Sequence, residues 1–107
     1  MTLVNVTLDE THNIKRVLVS GHSDYDVLGR DIVCASVSVA MYMTANLISK
    51  VLDSKCFSFK ENKKTTSMEL IIKQSNDFAN IIMENLIYTL KSISSDYADY
   101  LQIKINE

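Results

Sequence analysis

The chain has no proline and only two glycines, Gly21 and Gly29, in its 107 residues. That scarcity excludes a Pro/Gly-rich linker, and no low-complexity tract replaces one. Cysteine is scarce as well: Cys34 and Cys56 are too few and too far apart for a zinc-type ligand set or a redox dithiol, so both are expected to be thiols. No basic surplus exists either. A formal charge of −2 argues against nucleic-acid binding, which normally needs a basic face to replace the counterions of phosphate. The N-terminus has no basic segment leading into an apolar run, and the apolar stretches are interrupted by Ser, Thr or Asn before a bilayer could be spanned. A cytoplasmic protein with no membrane association is therefore expected. What is abundant is apolar residues, at 47%, which suits one compact domain spanning residues 1–107. Stability at this length is marginal enough for dimerisation to help.

The periodicity changes along the chain in a definite order. Val4, Val6 and Leu8 alternate in a β-branched run, and Arg16–Ser20 is a second such run, so the two read as a hairpin across the polar turn 9–13. His12 is then an exposed turn residue. From Asp31 to about Leu52 the pattern changes to helical period, with Val33, Val37, Ala40, Met41, Thr44 and Ile48 recurring at three- and four-residue steps, which predicts a long central helix with Leu47 and Val51 on the same face. Its Met41-Tyr42-Met43 segment reads as core or dimer contact. Residues 56–60 and 66–72 form a second predicted hairpin, whose turn holds Glu61 and Asn62 among Lys60, Lys63 and Lys64 and reads as solvated. Asn76 or Asp77 can cap a second helix, with Phe78, Ile82, Leu86, Leu90 and Ile93 on its buried face. A final strand, 100–106, turns Leu101, Ile103 and Ile105 to the core. The predicted fold is α+β in ββαββαβ order, two helices packed on a mostly antiparallel sheet.

The chemistry is concentrated between Gly21 and Cys34. Both glycines, one of two histidines and one of two cysteines fall in this segment, with Gly21 and Gly29 placed as hinges of an intervening loop. A thiol ordinarily ionises near about pH 8.5, so a nucleophilic cysteine needs a cation or a helix N-terminus to hold the thiolate. With Asp31 as N-cap, Cys34 falls in the first helical turn, where free N–H groups favour an anion and its own N–H is a natural oxyanion donor. His22, at a strand end, can supply the imidazole. Asp31 either caps the helix or orients that imidazole. Asp24 and Asp26 read as plain loop carboxylates. On spacing alone a buried structural Cys34 in a non-enzymatic binding module stays open beside catalysis, since free cysteine is often buried.

Gly21-His22-Ser23 followed by Gly29-Arg30-Asp31-Ile32-Val33-Cys34-Ala35 resembles the Gly-His and Gly-x-Asp-Ile-Val-Cys-Ala signature of the bacterial ribosomal-processing cysteine proteases, the Prp family. Ser23 and Ser36 depart from the usual small residues there but remain small. The resemblance implies Cys34 as nucleophile and His22 as general base and acid, on opposite sides of a mobile loop, with no metal or cofactor. It places Ser38 at a small polar position one turn beyond Cys34. It also implies a homodimer whose substrate is the N-terminal extension of a basic protein, large-subunit ribosomal protein twenty-seven. The alternative to this protease is a non-enzymatic module that binds ribosomal protein.

Overall fold

The computed structural model describes residues 1–21 and 28–107, with side chains from Ile32 onward in the second segment. The elements are β1 (Thr2–Leu8), β2 (Ile14–Ser20), α1 (Leu28–Val51), β3 (Phe57–Asn62), β4 (Ser67–Ile72), α2 (Asp77–Asp96) and β5 (Leu101–Asn106). They form a five-stranded sheet in the order β3-β4-β2-β1-β5, antiparallel except for the β1–β5 pair. The ββαββαβ α+β domain expected from the periodicity is the one observed.

Topology explains why both helices lie on one face. The β2-α1-β3 connection joins strands of one direction and steps past β4. The β4-α2-β5 connection joins strands of the opposite direction and steps the other way, past β2 and β1. Reversing both the strand direction and the sense of travel leaves right-handed crossovers on the same side. The core between the layers takes Val4 and Val6 from β1, Val17 and Val19 from β2, Leu70 from β4 and Leu101 from β5, against Val33, Val37, Met41 and Ile48 of α1 and Met83, Leu86 and Leu90 of α2. A bulge in the first hairpin keeps that face apolar. Thr7 pairs with Arg16 and Leu8 with Ile14, which leaves Lys15 unmatched and turns Ile14 to the same face as Val17.

The hairpin turn is built by Asp9, whose carboxylate accepts from the Thr11 and Asn13 backbone N–H groups and from the Thr11 hydroxyl. His12 sits there exposed, at φ 65°. Asn76 caps α2 by accepting from the Ala79 N–H.

Several positions differ from the expectation. Helix α1 begins at Leu28, three residues early, because Leu28 and Arg30 are good helix formers and one glycine costs only about 1 kcal/mol there. Asp31 is therefore not the N-cap, and Gly29 lies in the first helical turn instead of at a loop end. In α2 the buried stripe is Ala79, Met83, Leu86, Ile87 and Leu90, so Phe78 points outward at 69% exposure. Leu47 and Val51 of α1 and Ile105 of the edge strand are exposed as well. The second hairpin turns two residues later than predicted: Glu61 and Asn62 belong to β3, and the Asn62 side chain accepts from the N–H groups of Lys64 and Thr65. Ile32–Val51 is, contrary to the expectation, long and apolar enough by length and composition to cross a membrane. In the fold it is a core helix, with Val33, Val37, Met41 and Ile48 buried against the sheet and α2.

Candidate active site

Cys34 is the seventh residue of α1, half-buried, at the end of the sheet where β1 begins, β2 ends and the β3–β4 hairpin turns. Its thiol opens on a cleft of about 230 Å³. Val19, Val37 and Met68 give the cleft a buried apolar base; Thr2, Gly21 and Ser38 line it beside the sulfur. Residues 61–63 and 66–67 of the hairpin form the facing wall. Ser38 reaches the same cleft because four helical residues return a side chain to the same face.

The early start of α1 changes the electrostatics at Cys34. In the second helical turn the Cys34 N–H is committed to the carbonyl of residue 30, as the helix pattern requires, so it is not the spare oxyanion donor expected of a first-turn residue. The dipole's favourable field also falls off within the first turn. Among the described residues, the polar atom that meets the sulfur is the hydroxyl of Thr2: its Oγ1 lies 3.5 Å from Cys34 Sγ. Thr2 is 5% exposed and anchored at the strand start, where its N–H donates to the Tyr100 carbonyl.

Gly21 leaves β2 at φ 139°, with the Met1 carbonyl packed against its α-carbon. Glycine is required here for two reasons, since the positive φ penalises a side chain and there is no room for one. The facing wall is braced from α1. Tyr42 packs edge-on against Phe59, ring centroids 5.8 Å apart at 79°, and its hydroxyl donates to the Glu61 carboxylate at 2.5 Å. That bond is the main cause raising the Tyr42 phenol above its ordinary pKa, with burial and the Glu61 charge adding to it.

Among the sequence-selected residues the structure brings together Gly21, Cys34 and Ser38. His22 and the remainder of the 22–27 segment, including Asp24 and Asp26, lie outside the described residues, as does the side chain of Asp31. The expectation of a mobile loop between the glycines falls on the same segment. Cys56 is at the opposite end of the sheet, where its thiol donates to Gln74 at 3.2 Å. The six residues of β3 separate it from the cleft by about 20 Å, which excludes a bond to Cys34 and leaves both as free thiols. Reading the sequence alone missed Thr2 and the hairpin wall. No local signal marks either, because the β2–β4 and β1–β2 pairings carry them to Cys34.

Comparison with known proteins identifies the family. The family profile for cysteine protease Prp matches residues 1–102. The ribosomal processing cysteine proteases Prp of two Staphylococcus aureus strains, Mu50 and NCTC 8325, are each 23% identical over 104 residues, covering 96% of this chain and 97% of theirs. Crystal structures of the S. aureus protease share the fold. The one with a substrate peptide has a TM-score of 0.90 at 20% identity, covering 99% of this chain and 100% of that one. The one with a covalently linked product peptide has a TM-score of 0.84 at 21% identity, with the same coverage. The non-enzymatic alternative falls, and the chain belongs to the Prp family of ribosomal-processing cysteine proteases.

Proposed function

We propose that this protein is an endopeptidase that removes the N-terminal extension of large-subunit ribosomal protein twenty-seven, with Cys34 as nucleophile and His22 as general base and acid. The observation that carries the reading is the Cys34 thiol opening on a cleft of about 230 Å³ with the family's small polar position, Ser38, beside it. The thiol proton passes to the His22 imidazole, and the thiolate attacks the scissile carbonyl carbon, forming a C–S bond and an oxyanion. Backbone N–H groups other than that of Cys34, which is bonded within α1, hold that oxyanion. The intermediate collapses with cleavage of the C–N bond as the imidazolium gives its proton to the leaving amine. Water, deprotonated by the imidazole, then hydrolyses the thioester and restores the thiol. Neither a metal nor a cofactor is needed for any step. The protein is cytoplasmic and its net negative charge favours encounter with a basic substrate. A homodimer accounts for exposed apolar residues on the helix layer: Val39, Met43 and Leu47 of α1, and Ile81 and Tyr88 of α2.

The test is a synthetic peptide spanning the extension and its junction. The parent cleaves it, and Cys34→Ala binds it without turnover while keeping the parent's circular dichroism spectrum. Retained turnover in Cys34→Ala refutes the nucleophile assignment. A folded parent that binds the peptide and never cuts it refutes the substrate.

A further inference from the structure

We infer that the Thr2 hydroxyl is a working part of the cysteine centre, donating a hydrogen bond to the Cys34 sulfur that stabilises its thiolate and holds it over the cleft. The inference rests on Cys34 being the nucleophile. Thr2, Val4 and Val6 share the core face of β1, and the two valines are fully buried. A third valine would complete that face with nearly the same shape, so the hydroxyl is not demanded by packing. A hydroxyl taken out of water needs a partner, and among the described residues the atom it meets is Cys34 Sγ, at a distance ordinary for an O–H···S bond.

The position of Cys34 in the second turn of α1 gives this contact its weight. A first-turn cysteine is served by free N–H groups and the dipole; here Cys34 lies beyond that turn and its own N–H is spent within the helix. Hydrogen bonding to the charged form favours that form, most strongly where water is largely excluded. Thr2 is also well held for the task. Its backbone is fixed between neighbouring strands by the Tyr100 bond and by the Leu3–Ser20 pairing, and a β-branched side chain has few χ1 choices.

The experiment compares the parent with Thr2→Val, which removes only the hydroxyl, and Thr2→Ser, which restores it. Iodoacetamide labelling of Cys34 is followed from pH 5 to 10, with mass spectrometry separating it from Cys56. In Thr2→Val the midpoint of the Cys34 profile is expected to rise by about one pH unit, a tenfold change in ionisation constant, while kcat for peptide cleavage falls and KM changes little. Thr2→Ser is expected to return both towards the parent, and the Cys56 profile is expected to coincide in all three. An unchanged Cys34 midpoint in Thr2→Val overturns the inference even if cleavage slows. Equal displacement in Thr2→Val and Thr2→Ser overturns it too, since packing would then be the cause. Should Thr2→Val fail to fold, Thr2→Ala with Thr2→Ser makes the same comparison. Turnover by Cys34→Ala, measured alongside, would instead overturn the nucleophile assignment.

Discussion

Replacing Gly21 by alanine tests how the start of β1 and the end of β2 together build the cleft. Two costs add. Residue 21 sits at φ 139°, where a side chain is penalised by about 1–3 kcal/mol. A β-carbon there would also lie 2.5 Å from the Met1 carbonyl oxygen and 3.0 Å from the Thr2 α-carbon. Both are backbone atoms and cannot rotate away, so the strand must retreat by about 1 Å to regain ordinary contact. Pairing resists that retreat, through the Thr2–Tyr100 bond and the Leu3–Ser20 register. A total of about 2–4 kcal/mol is expected, which at about 4 °C per kcal/mol lowers Tm by about 8–16 °C for a domain of this size. The displaced atoms include Thr2, so peptide cleavage by the folded fraction should fall as well. A melting curve followed by circular dichroism, with cleavage assayed well below the transition, reads both. If Gly21→Ala melts within about 2 °C of the parent, the close approach of Met1 and the positive φ are not features of the protein.

Three further outcomes are expected. Leu90→Ala, at a fully buried position of α2, should cost about 2–5 kcal/mol in urea unfolding, whereas Phe78→Ala should stay within about 0.5 kcal/mol; comparable losses would mean the helix is rotated from the face described. Asn76→Ala removes the α2 cap and should cost about 1 kcal/mol by the same measurement, and no loss would deny the bond to the Ala79 N–H. The raised Tyr42 phenol, held protonated chiefly by its bond to Glu61, means this interaction is fully present below the unfolded pKa of about 10 and lost as pH rises through the folded value. The stability difference between the parent and Tyr42→Phe should therefore be constant from pH 7 to 9 and diminish above about 10; a difference unchanged to pH 11 would refute the Tyr42–Glu61 bond.

Local pattern was enough for much of this protein. Alternating valines required strands, the 3.6-residue recurrence from Val33 to Ile48 required a core helix, and the Asn76-Asp77 pair marked the start of α2, because each depends on residues within a few positions of one another. The Gly-His and Asp-Ile-Val-Cys-Ala segments likewise carried the family resemblance and pointed to Cys34. Boundaries and faces depended on more distant partners. Helix α1 could extend back to Leu28, moving Cys34 out of the first turn, and Phe78 could face solvent because Ala79 and Met83 took the core positions. Only the tertiary structure brought Thr2 to the thiol across 32 residues and set the β3–β4 hairpin opposite it. Those contacts are products of strand pairing and crossover, and no periodicity near Cys34 encodes which residue of a distant strand will arrive beside its sulfur.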